Sequence, residues 1–159
     1  MNDTRRGTLT EGPDGMWRIR FERRLPHPPE RVWQALVDPD QQATWIPGVR
    51  IEAEVGGAVV YDFGDEGRAD GEVLAVEPGK VLEHSWTWPG EPRAIVRWEL
   101  RAEDGGTVLV LLHRPLRSSA VTDYTVGWHA ILDALDVYVE SGTFENADYE
   151  ALYELYQKP

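Results

Sequence analysis

Trp17, Ile19, Phe21 and Arg23 alternate with charged residues, the period of a strand with one wet face. The run from Gly7 to Thr10 precedes it, and "EGPDG" between the two is a turn cluster, so the chain opens with a predicted hairpin. Pro26, Pro28 and Pro29 end the second strand. Pro29 suits the first turn of a helix, where its missing N–H costs nothing. Val32, Trp33 and Leu36 form the apolar side of that helix, and Asp38-Pro39 stops it before a second short helix that closes on Trp45. Alternating segments follow: Ile51/Ala53/Val55, Val59/Tyr61/Phe63, Gly71–Val76, Leu82/His84/Trp86/Trp88, Val96/Trp98/Leu100 and Thr107–His113. Gly-Gly, Glu-Pro-Gly, Pro-Gly and Glu-Asp-Gly-Gly turns separate them, the pattern of an antiparallel meander.

After Pro115 the period changes. Val121, Tyr124, Trp128, Ile131, Leu132, Leu135 and Val139 fall at helical spacing, with Ser118 or Ser119 as the expected N-cap and Gly142 as the C-cap glycine. A further helix is expected from about Thr143 to the end at residue 159, with Tyr149, Leu152, Tyr153 and Tyr156 on one stripe. That stripe could dock on the same chain, cap a cavity mouth or pair with a second subunit; docking on the chain is the expectation. No repeat or linker divides the 159 residues, so a single α+β domain is expected over 1–159.

Composition narrows the function classes. A formal charge of −12 disfavours nucleic acid, which calls for a basic face. The absence of cysteine excludes a disulfide framework, thiol catalysis and Cys-ligated metals. Four histidines without H-x-x-x-H or H-E-x-x-H spacing give no metal ligand set, and no cofactor motif is present. "VGG" at Val55–Gly57 lacks the phosphate-loop pattern, and no G-x-S-x-G nucleophile elbow occurs. The first residues lack a signal-peptide core and the longest apolar run is too short for a bilayer, so a cytoplasmic protein with no membrane partner is expected.

Five stretches occur in the order of a known superfamily: "FERRLPHPPERVWQALVDPDQQATWIP", "VGGAVVYDF", "GEVLAVEPGKVLEHSWTW", "GTVLVLLH" and "GWHAILDAL". The chain resembles the START/polyketide-cyclase-like (SRPBCC) superfamily. Within it, it resembles the branch named for activators of the heat-shock-protein-90 ATPase homologue. The resemblance implies a helix-grip fold: a curved antiparallel sheet around a long C-terminal helix, with two short helices after the first main strand. It also implies a cavity between sheet and helix for a hydrophobic or aromatic small molecule, with the two short helices as its stopper.

Trp33, Trp45, Tyr61, Phe63 and Trp86 are candidates to line that space, together with Trp98, Trp128 and Leu132. Any one of the tryptophans could equally be plain core, since a buried aromatic stabilises by roughly 2–3 kcal/mol or more. Strand alternation places His84 and His113 with the inward apolar residues, where each is either satisfied structurally or a polar anchor for a ligand. His84 stands where the family pattern usually has an aromatic or aliphatic residue. His129 and Asp133, four apart on the long helix, are expected to form a rim or surface ion pair.

Three functions fit these residues. The first is a carrier for a small hydrophobic molecule. The second is a cyclase or aromatase with His113, His84 or His129 as general base, and the third a chaperone-associated interaction domain. A homodimer is compatible with each.

Overall fold

The computed structural model describes residues 5–157. Eight strands form one antiparallel sheet: β1 (Thr8–Glu11), β2 (Trp17–Leu25), β3 (Val49–Ile51), β4 (Ala58–Asp62), β5 (Arg68–Glu77), β6 (Val81–Trp86), β7 (Ala94–Glu103) and β8 (Gly106–Leu116). Their order is β1-β2-β8-β7-β6-β5-β4-β3. The meander is thus continuous from β3 to β8, and the opening hairpin joins it through β2 against β8. Four helices complete the chain: α1 (Pro29–Val37), α2 (Pro39–Trp45), α3 (Ser118–Ser141) and α4 (Tyr149–Gln157). This is the α+β helix-grip arrangement, with the long helix on the inner face of the curved sheet.

Asp38 separates the short helices chemically. Its backbone is extended, as the following proline demands, and its carboxylate accepts the Gln41 N–H to cap α2. Trp45 then returns to α1, its indole Nε1–H donating to the Ala35 carbonyl at 2.7 Å. Gln42, fully buried between the helix pair and β3, bonds the Leu36 carbonyl and both backbone groups of Ile51. The pair is therefore fastened by polar bonds among buried apolar side chains.

The inward residues form rows across the sheet. In one, Ile19 pairs with His113, His113 with Val96, Val96 with His84, and His84 with Val73. In the next, Phe21, Leu111, Trp98, Leu82 and Val76 follow one another. Two histidines thus share a row with one valine between them. On the outer face, Val108 and Val110 are also buried. Their cross-strand neighbours are Arg24 and Arg101 for the first, Glu22 and Glu99 for the second, so charged side chains flank both on either side.

Several expected boundaries move. Val55 lies outside β3 and is 71% exposed, because the chain turns at Gly56-Gly57 instead of continuing the strand. Arg117, not Ser118 or Ser119, occupies the N-cap position of α3, without a side-chain cap; Gly142 ends the helix in the left-handed conformation, as expected. The tail helix starts at Tyr149, not near Thr143, because the Asp148 carboxylate accepts the Ala151 N–H there. Tyr149 itself is 54% exposed and off the packed stripe. Residues 158–159 of the expected tail lie outside the described residues.

Two glycines of opposite character test this register. A Cβ on Gly71 would lie 2.0 Å from the Ser85 carbonyl oxygen across the β5–β6 pair, whereas one on Gly127 in α3 meets nothing within 4 Å. Gly71→Ala should destabilise by roughly 1–3 kcal/mol, and Gly127→Ala should stabilise by about 0.5–1 kcal/mol. Urea unfolding of the two variants checks the opposite signs.

Candidate functional site

Seven aromatic or imidazole rings gather between α3 and the inner face of β4 and β6–β8. Trp128 of α3 stands at their centre, with ring centroids 5.7 Å from Trp86, 5.7 Å from Trp98, 5.8 Å from Tyr61 and 5.8 Å from His113. Tyr61 and Trp86 approach to 4.8 Å, Tyr61 and His84 to 5.6 Å, and Tyr124 closes on His113 at 5.0 Å. Such separations are those of tilted and edge-to-face contact, so the rings pack on one another. They stand between the sheet and α3, where the resemblance implies a hollow. Surface hollows of about 490 Å³ and 450 Å³ lie at the first hairpin and on the outer sheet face.

Alternation along β6, β7 and β8 aims these side chains inward, and the 3.6-residue period of α3 brings Val121, Thr125, Trp128, Leu132 and Leu135 down on them. Polar bonds then fix the rings. His84 Nδ1–H donates to the Ser85 carbonyl at 2.9 Å, which leaves Nε2 to accept the Tyr61 hydroxyl at 3.2 Å. Trp128 Nε1–H donates to His113 Nδ1 at 2.8 Å. Indole N–H is a donor only, so His113 carries its proton on Nε2. That Nε2–H is buried and has no hydrogen-bond partner among the described residues; the same holds for Trp98 Nε1. Trp86 Nε1 donates to the Tyr124 hydroxyl at 3.0 Å.

Burial sets the protonation of the group. Desolvation lowers the His84 pKa to about 4 despite the opposing bond to Ser85. Desolvation, then repulsion from His84 in the same row, lowers His113 to about 3. Burial likewise pushes the Tyr61 phenol well above its ordinary value; the Trp98 indole offsets this weakly, without reaching hydrogen-bond geometry. Tyr124, half-buried, is raised by desolvation as well. At neutral pH the interior is therefore uncharged: two neutral imidazoles and neutral phenols among indoles.

The other candidates are not among the seven rings. Trp33 and Trp45 are buried in the core under the helix pair, and the ring contacts among the described residues do not join them to the seven. Leu132 is buried on the α3 face above the sheet. Phe63, 38% exposed, forms a rim with Trp88 at 6.1 Å and touches Tyr61 at 6.3 Å.

His129 is not at the rim. It is buried, edge-on to Phe21 at 6.0 Å, with Nδ1 2.7 Å from the Tyr156 hydroxyl of α4 and Nε2 3.4 Å from Asp133. Asp133 also takes Arg23, another buried side chain, at 2.9 Å and Arg5 at 2.7 Å. Of the expected rim or surface pair, the imidazole is covered by α4, while the Asp133 side chain stays 32% exposed.

Tyr124 had been legible only as a helix-stripe residue; its offset of four from Trp128 was the signal that it shares the inward face. Among the described residues no cluster of three metal-ligating side chains occurs, and no helix is long and apolar enough to cross a membrane.

Residues 26–140 match the family model described as Activator of Hsp90 ATPase homolog 1-like protein. No curated protein matches the chain by sequence. Among solved structures, CalU16 from Micromonospora echinospora is 25% identical with a TM-score of 0.75 over 94% of this chain and 89% of that one. DynU16, from the dynemicin biosynthetic locus, is 29% identical with a TM-score of 0.72 over 82% of this chain, which spans only half of DynU16. The Aha1 dimer from Colwellia psychrerythraea is 19% identical with a TM-score of 0.68, over 79% and 97% of the two chains; it shares the fold.

The buried imidazoles predict an acid limb. Unfolded histidines protonate below pH ~6.5 while folded His84 and His113 stay neutral down to about 4 and 3. Stability should therefore be unaffected by them above pH ~6.5 and fall as pH drops, by up to about 1.4 kcal/mol per unit for each histidine. Urea midpoints between pH 7 and pH 5 should drop more for the native protein than for the His84→Phe/His113→Leu double variant.

Proposed function

The chain belongs to the Activator of Hsp90 ATPase homolog 1-like family, and from that premise we propose that it binds a small, flat, apolar molecule between the sheet and α3. The observation that carries this reading is the His113 Nε2–H: a fully buried donor in an apolar interior with no partner in the described chain. An unmatched buried donor costs about 1–3 kcal/mol, so a guest that supplies an acceptor is favoured there. Trp98 Nε1 offers a second such donor, and Trp86, Trp128 and Tyr61 offer flat faces. The guest is accordingly an aromatic compound with carbonyl or ether oxygens. It enters by displacing rings, and half-buried Tyr124, bonded to Trp86 beside His113, is the one placed to swing outward. Of the ten positions expected to line the site, Tyr61, His84, Trp86, Trp98, His113 and Trp128 carry this reading; Phe63 lies at its rim.

The carrier reading stands ahead of the enzyme reading on magnitudes. A general base works best with a pKa near the operating pH. Imidazoles held near 4 and 3 are weak bases at neutral pH, and the Tyr61 phenol bonded to His84 keeps its proton. These groups hold and orient oxygen atoms better than they move protons. The origin of the similar DynU16 in a biosynthetic locus supports a small-molecule partner. A role beside a chaperone rests on the family name and the shared fold alone. In this reading the protein acts in the cytoplasm, free of membranes. Self-association would follow the precedent of the Colwellia dimer.

Tryptophan fluorescence titration tests the reading with paired probes, a tricyclic quinone and the hydrocarbon of the same shape. The quinone should bind more tightly, and His113→Leu and Trp98→Phe should each weaken it roughly 5–10-fold. Equal affinity for the two probes, or none for either, overturns the reading.

A further inference from the structure

The outer face of the sheet is a ladder of matched charges. Arg20 pairs with Glu22, Arg24 with Glu103, Arg97 with Glu83 and Glu99, and Arg101 with Glu103. At one end the ladder breaks. The pairing of β2 with β8 shifts between Trp17↔Leu116 and Ile19↔His113, so β8 carries an extra residue there. The irregularity sits beside the first hairpin turn, and a hollow of about 490 Å³ opens at it.

Arg18 and Arg114 both line this hollow, and both are exposed. Among the described residues neither guanidinium has a salt bridge or a side-chain hydrogen bond, in a chain with 28 acidic residues against 16 basic ones. Their neighbours Ile19 and His113 point inward, which puts the two arginines on the same outer side. The walls are apolar: Pro13, Met16, Trp17 and Pro115. Trp17 Nε1 is a buried indole N–H without a partner among the described residues. Asp14 is also at the hollow, but one of its carboxylate oxygens accepts the Met16 N–H inside the turn. The local balance remains positive on a strongly acidic protein.

We propose that this hollow is a second binding site, separate from the aromatic interior, for a small planar aromatic carboxylate. The guanidinium fork matches a carboxylate in plane and spacing, and two of them leave the acid clamped from both strands. The flat body of the ligand lies against Trp17, Met16 and the two prolines. A simple inorganic anion would use the arginines but not these walls, and a neutral hydrocarbon would use the walls but not the arginines.

Titration of the full chain with 1-naphthoate, followed in amide NMR spectra, tests this. Shifts should concentrate in Gly12–Arg18 and Arg114–Leu116. Arg18→Gln and Arg114→Gln, both exposed positions, should each weaken binding roughly 3–10-fold. On the unaltered protein, 1-naphthalenemethanol and inorganic phosphate should each bind at least tenfold more weakly than naphthoate. Shifts confined to the Trp86–Trp128 interior, or naphthoate affinity matched by either control, overturn the proposal. Neither outcome bears on whether a quinone occupies the interior.

Discussion

One hydrogen bond between α3 and the sheet, from the Trp128 indole to His113 Nδ1 at 2.8 Å, sets the chemistry of the interior. A polar atom removed from water must find a partner or cost about 1–3 kcal/mol. Tryptophan solves its own problem by donating to histidine, and in doing so it fixes the imidazole tautomer. The proton is left on Nε2, buried and without an acceptor among the described residues. The same bond holds the helix against β8, so structure and binding potential come from one contact. His84 illustrates the alternative. It shares the row with His113, yet the Ser85 carbonyl and the Tyr61 hydroxyl satisfy both of its nitrogens. One histidine is a closed structural element and the other an open one.

A second polar network keeps α3 where this contact needs it. Tyr156 accepts the Gly7 N–H at 2.8 Å and meets His129, while Asp133 gathers Arg5 and Arg23. The terminal helix, the first hairpin and α3 are joined by these groups. Arg23 is buried to reach it, and its pKa is lowered by desolvation against the pull of Asp133. Buried charge of this kind gives little net stability but penalises any arrangement that leaves it unpaired. It therefore fixes the register of the tail more than it strengthens the fold.

The architecture was legible because its signals are local. Period-two alternation in β6 to β8, the Asp38-Pro39 break, the 3.6-residue stripe of α3 and Gly142 all act over a few residues. What escaped depends on partners distant in sequence. Arg23 sits in the inward phase of its strand, and the Asp133 carboxylate 110 residues away, together with the Arg5 carbonyl, makes that tolerable. His129 was expected at the rim as the partner of Asp133; its cover comes from α4, whose Tyr156 hydroxyl lies 27 residues away in sequence. The inward placement of His84 and His113 could be read from alternation, but their different fates could not. Those turn on whether a carbonyl, a phenol or an indole stands opposite. The mutual contacts of Trp86, Trp98 and Trp128 were equally hidden, since side-chain volume does not reveal how tryptophans from three elements interlock.

Long-range proton–nitrogen NMR of the histidine side chains tests the central claim most directly. The account predicts that His113 at pH 6 is a neutral imidazole protonated on Nε2, with Nδ1 bare and hydrogen-bonded to the Trp128 indole. A His113 protonated on Nδ1, or an imidazolium at that pH, would contradict it.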